Sequence, residues 1–81
     1  MNRTKYVIVN GSAIVFSEAI THADMVGYGQ KCEGAGFVYF YSDSETGEVR
    51  AKCSGTSISL GIDSRGEEDA RIINRQILVN I

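Results

Sequence analysis

Ser17, His22 and Asp24 are the residues whose types could carry nucleophilic or acid–base chemistry. A nucleophilic hydroxyl needs a base to take its proton, and that base needs a third group to orient it. Here all three crowd one short segment, whereas such a relay is held by separate rigid elements. His22 is the single histidine of the chain, so no multi-histidine metal site can form. Its expected place is the first turn of a helix. Gly27-Tyr28-Gly29 is a Gly-x-Gly fragment, but it precedes a strand, and a phosphate-binding loop follows a strand and opens a helix. Cys32 and Cys53 have neither metal-site spacing nor the pattern of a disulfide framework. In the register derived below, Cys53 stands opposite Phe37, which puts Cys32 about 16 Å away along the strand, far beyond the roughly 7 Å that a bridge allows. Cys53 is therefore expected in the core, with both thiols reduced. No catalytic, cofactor-binding or metal-ligating residue is assigned, and the chain is expected not to be an enzyme.

The sharpest motif is Glu33-Gly34-Ala35-Gly36-Phe37-Val38-Tyr39-Phe40. It is similar to the octamer of the RNA-recognition motif, which reads basic, Gly, aromatic, small, aromatic, Val, any, aromatic. Gly34, Gly36, Phe37, Val38 and Phe40 fit. Glu33 stands where a cation would meet phosphate, and Ala35 where a ring would stack on a base. The element order also differs from the βαββαβ of that fold. The plainer expectation is a strand whose aromatics fill the core, with nucleic-acid binding through Phe37, Tyr39 or Phe40 and Arg50 and Lys52 as the alternative.

The elements that position these residues follow from composition and pattern. The chain has 81 residues, 43% hydrophobic and 22% charged, with a formal net charge of −2. That is an ordinary globular balance for one domain, residues 1–81, and it lacks the basic excess of a nucleic-acid binder. No apolar run approaches the length of a membrane span. The basic start, Met1 to Lys5, leads into a stretch cut by Asn10-Gly11, which reads as a hairpin and not as a signal peptide. The expected location is the cytoplasm.

Lys5 to Val9 and Ser12 to Phe16 are β-rich and flank Asn10-Gly11, the dipeptide suited to a type I′ turn. A two-residue loop pairs Val9 with Ser12, Ile8 with Ala13, Val7 with Ile14 and Tyr6 with Val15. Val7, Val9, Ile14 and Phe16 then share one face, and Tyr6, Ile8, Ala13 and Val15 the other. Both faces are apolar. Either one face is an interface, or the hairpin is the middle of a sheet covered on both sides. Ser17 to Gly29 is the first helical segment, with a capping-box-like Thr21-His22-Ala23-Asp24.

Farther on, an Asp43–Gly47 loop and a Ser54-Gly55 turn place Phe37, Tyr39 and Tyr41, then Val49, Ala51 and Cys53, then Ile58, Leu60 and Ile62 on one apolar face. Ser64-Arg65-Gly66-Glu67 reads as a capping box before a helix lined by Ala70, Ile73 and Ile77, with a Glu67–Arg71 pair on its surface. Val79 to Ile81 reads as a frayed end or a short strand. The expected fold is α+β: an antiparallel sheet of about five strands with two helices on one face, in the order ββαβββα.

The stretches Phe16 to Asp24, Ala35 to Phe40 and Cys53 to Gly61 resemble small uncharacterised α+β proteins of bacteria and their phages. The resemblance covers most of the chain. It implies a bacterial, prophage or phage origin and an intracellular domain, and it carries over no site residue. The expected function is that of an accessory protein acting through protein–protein contacts, with a second copy, a host protein, or both as partner. The expected surface comprises Tyr6, Ile8, Val15, Val38, Phe40, Arg50 and Lys52.

Overall fold

Asn10 and Gly11 both adopt positive φ, 52° and 79°, the geometry that matches a two-residue turn to the twist of its strands. The computed structural model describes residues 3–78. β1 (Thr4–Val9) and β2 (Ser12–Ser17) pair in the expected register, Val9 with Ser12 through Tyr6 with Val15. β3 (Cys32–Ser42) runs along the other side of β1, and β4 (Val49–Ser54) pairs with β3, so the antiparallel sheet has the order β2-β1-β3-β4.

The central place of β1 explains its two apolar faces. On one side Tyr6 and Ile8 join Val38, Ala51 and Cys53 under Ala70 and Ile73 of α1 (Glu67–Ile73). On the other, Val7 and Val9 join Phe16 and Ala35 under Met25, Val26, Leu60 and Ile62. Both hairpin faces are covered from within the chain. Among the described residues the fold is α+β with a four-stranded antiparallel sheet, a second small sheet and one α-helix, in place of about five strands in one sheet with two helices on one face.

Three departures have identifiable causes. The segment expected as the first helix forms only a 3-10 turn, His22–Met25. A short run bounded by Gly27 and Gly29 cannot offset the cost of a helical nucleus. Thr21 supplies no side-chain cap, and tertiary contacts of His22 hold the segment instead.

Second, the chain after Gly55 leaves the main sheet. β5 (Thr56–Ser57) and β6 (Ile62–Asp63) form a two-stranded sheet of their own. Between them the Gly61 N–H donates to the Ser57 carbonyl (2.8 Å) and the Leu60 N–H to the Ser57 hydroxyl (3.2 Å). A serine that bonds its own neighbouring backbone competes with a sheet ladder, and Ile58 ends at the tip of the turn, 93% exposed.

Third, the loop between β3 and β4 is one residue longer than expected. Ser42 pairs with Val49, and the Asp43 N–H donates to the Glu48 carbonyl at 2.8 Å. A slip of one residue exchanges the faces of a strand. Val38 and Phe40 therefore face Cys53 and Ala51, while Tyr39 and Tyr41 face Lys52 and Arg50.

The capping box before α1 is also replaced. Gly66, with φ 63°, is the N-cap, and the Ser64 hydroxyl accepts the Gly66 N–H (3.0 Å). Arg65, and not Arg71, makes the ion pairs of this turn, with Glu68 (2.6 Å) and Asp69 (2.7 Å). A π-helical turn, Asn74–Leu78, continues α1. Its Gln76 Oε1 accepts the Ala13 N–H of β2 at 2.7 Å, and its Asn74 Oδ1 accepts the Ala51 N–H of β4 at 2.9 Å. Among the described residues no helix is long and apolar enough to cross a membrane. The ending expected at Val79–Ile81 lies outside the described residues.

Candidate functional site

β1 pairs with β3 only from Cys32 to Val38. Beyond that point Tyr39–Ser42 and the facing half of β4 continue as a two-stranded ribbon. Four large apolar side chains stand exposed on it: Tyr39 (52%), Phe40 (39%), Tyr41 (44%) and Val49 (49%). Their faces differ. Tyr39 is paired with Lys52 and Tyr41 with Arg50 on one face, and Phe40 with Ala51 on the other. A groove of about 800 Å3 runs beside the ribbon, with Tyr39, Tyr41 and Lys52 on one wall and Ala70, Arg71 and Asn74 on the helical wall.

The loop that joins the strands sets the charge at the ribbon's end. Asp43 Oδ1 accepts the Glu45 N–H (2.8 Å) and the Thr46 N–H (3.3 Å). These backbone donors, with Arg50, hold the Asp43 carboxyl below its ordinary value. Arg50 spans Asp43 (3.5 Å) and Glu48 (3.4 Å), so its charge is largely used within the loop. Among the described residues Lys52 and Arg71 form no ion pair.

Behind the groove lies a buried carboxylate. Asp69 is 0% exposed. Its Oδ2 accepts from the Tyr6 hydroxyl (2.5 Å) and the Arg65 N–H (2.9 Å), and its Oδ1 from Arg65 Nε (2.7 Å). A phenol has one proton and a carboxylate only accepts. Tyr6 therefore donates to Asp69, and the Ser64 hydroxyl, 2.6 Å away, donates to Tyr6. Burial first, then the bond to Asp69, hold the Tyr6 phenol far above its ordinary value. Burial and the Asp69 charge push the Cys53 thiol up to about 11. This network fastens α1 to β1.

The expected surface residues separate into two groups. Tyr6, Ile8 and Val38 are fully buried and belong to the core, because β1 and the inner half of β3 are covered on both faces. Val15 is half-buried against the same core. Phe40, Arg50 and Lys52 lie on the ribbon, Phe40 on one face and the two cations on the other. Tyr39 and Tyr41, expected inward, are exposed beside them, and the only trace of this in the sequence is the length of the polar loop. Asn74, Ser64, Arg65 and Asp69 were hidden because their roles depend on strands far away in the chain.

The residues whose types suit chemistry are otherwise engaged. His22 is buried, with Nε2 2.8 Å from the Gly36 carbonyl oxygen, to which it donates. Its ring meets Phe16 and Phe37 edge-on at 5.5 and 5.9 Å. The Ser17 hydroxyl accepts the Ala19 N–H, and Asp24 is exposed. Among the described residues no hydrogen bond joins these three. Phe37, the central ring of the octamer, is covered by His22 on its edge and by the Arg3 guanidinium, 4.1 Å from its centroid. Cys32 and Cys53 are both free, the second a buried core residue as expected. Among the described residues no group of three or more His, Cys, Asp or Glu could hold a metal ion.

No family model, curated protein or solved structure matches the chain.

Proposed function

We propose that the chain is a non-enzymatic interaction module that works by protein–protein contact through the β3–β4 ribbon, in a bacterial or phage-infected cytoplasm. The supporting observation is the exposure of Tyr39, Phe40, Tyr41 and Val49 on a ribbon only two strands wide. Two strands alone are marginally stable in water, and large apolar side chains exposed on both faces of so narrow a ribbon are a surface that gains from being covered. A host protein or a second copy would supply that cover. The test is affinity capture from bacterial lysate at high salt with the native chain and with a Y39S/F40S/Y41S variant. Capture of one protein by the native chain, lost in a variant that still melts cooperatively, is the expected result. Equal capture by both would remove the ribbon from the function.

A second reading has its own support. Tyr39 beside Lys52 and Tyr41 beside Arg50 alternate rings with cations along one exposed face, the combination on which single-stranded nucleic acid stacks. That reading requires binding that weakens steeply with salt.

A further inference from the structure

Among the described residues β4 is an edge strand, bonded to β3 on one side and bordered by the groove on the other. The Ala51 N–H points into the groove, where Asn74 Oδ1 accepts it. Hydrogen-bonding groups alternate in direction along a strand, so the backbone of Val49 and Cys53 faces the same way. Asn74 thus stands where the carbonyl of an added strand would stand, and it is the one side chain that occupies this edge among the described residues.

Charge decides what could be added. A second copy of β4 is a poor partner. Antiparallel self-pairing centred on Ala51 or Lys52 sets Arg50 against Lys52 or Lys52 against Lys52, and like charges directly opposite are destabilising; centred on Arg50 it sets Arg50 against Arg50 and faces Lys52 with Glu48, a carboxylate already paired with Arg50 of its own chain. A strand with carboxylates at those positions reverses the sign. The chain as a whole carries −2, yet the groove is lined by Lys52 and, on its helical wall, Arg71, neither in an ion pair among the described residues, against the one lining acid Glu67, while Arg50 is shared with Asp43 and Glu48.

We infer that the β4 edge accepts an extended acidic peptide segment of a partner protein as an added strand. Acidic residues at alternate positions meet Lys52 and, in exchange with Asp43 and Glu48, Arg50 on the tyrosine face. The small or apolar residues between them enter the groove beside Ala51, Ala70 and Asn74. Backbone bonds supply affinity and the alternating side chains supply register. Asn74 surrenders its hydrogen bond to the incoming backbone and so sets the threshold for binding. The inference rests on the reading that the ribbon is the interaction surface.

The test titrates the 15N-labelled chain with three probes: a blocked peptide of alternating Glu and Val, its Lys–Val counterpart, and a deoxythymidine oligomer. Expected are shifts and slowed exchange at the Val49, Ala51 and Cys53 amides with Glu–Val alone. N74A removes a competing bond and should tighten binding by roughly 2- to 10-fold. K52E should switch the preference to Lys–Val. Glu–Val binding that leaves the edge amides unmoved would overturn strand addition while leaving the ribbon as a surface. Response to the thymidine oligomer alone, centred on Tyr39 and Tyr41, would replace the peptide by nucleic acid. No response to any probe, with partner capture still lost in the triple ribbon variant, would overturn this inference and leave the proposed function standing. Unchanged capture in that variant would remove both.

Discussion

The Asp69 carboxylate rests directly on the backbone of Gly34, where a Cβ on Gly34 would overlap both carboxylate oxygens. This close approach lets a helix deliver a buried charge to the middle of a sheet. A glycine that the motif reading placed in an RNA-binding octamer is thus explained by a carboxylate far along the chain. Gly34→Ala forces Asp69 away from Tyr6 and Arg65 and should cost about 2–3 kcal/mol of stability. Gly11→Ala, which meets nothing within 4 Å but keeps φ at 79°, should cost only about 1–2 kcal/mol. Denaturant unfolding of the two variants checks the order.

Removing the shared acceptor of the network should be harsher than removing one of its donors. Asp69→Ala leaves Arg65 and Tyr6 without their shared acceptor and should cost about 3–5 kcal/mol. Tyr6→Phe, which deletes one hydroxyl and leaves Asp69 its Arg65 bonds, should cost about 1–3 kcal/mol. Calorimetric melting of both variants measures the difference.

Alkaline pH should expose the same region. The Cys53 thiol is raised from 9.0 to about 11 in the folded chain, and the Tyr6 phenol is raised as well. A group with a raised folded value holds its proton longer when folded. Its stabilising contribution is complete below the unfolded value and is lost as pH climbs toward the folded one. Stability should therefore fall from about pH 9 to about pH 11, and Cys53→Ala should remove close to one proton from that slope. Denaturant midpoints across this range, in both chains, give the answer.

His22 offers a contrast between fold and function. His22→Ala removes a bond to the Gly36 carbonyl and two edge-on ring contacts, and should cost about 2–4 kcal/mol. Any binding measured at the ribbon should persist at temperatures where the variant remains folded. Loss of binding in a fully folded H22A chain would assign the histidine a role beyond packing.

The sequence carried the first hairpin completely, because Asn10-Gly11 marks a two-residue turn and a loop of that length leaves one register. It also carried the helical stripe of Ala70 and Ile73. It could not carry the β3–β4 register. Asp43 and Gly47 mark a loop but not its length, and one residue decides whether Tyr39 and Tyr41 turn inward or outward. Nor could it carry the fate of Ile58, since Ser57-Ile58-Ser59-Leu60 alternates like a strand while the Ser57 hydroxyl folds it into a turn. Of the candidate site, the sequence named Phe40, Arg50 and Lys52 but not the faces they occupy, and the tyrosines paired with the cations and Asn74 across the groove depend on contacts made only after the sheet has formed.

The short turn Asn74–Leu78 has a consequence for how the molecule behaves in a crowd. Through Gln76 it occupies an N–H on β2, and through Asn74 one on β4. These are the two strands at which the sheet could otherwise continue without limit. Five residues at the end of a helix thus engage one N–H at each edge of this sheet, and a chain trimmed before Asn74 should be more prone to seed fibrils.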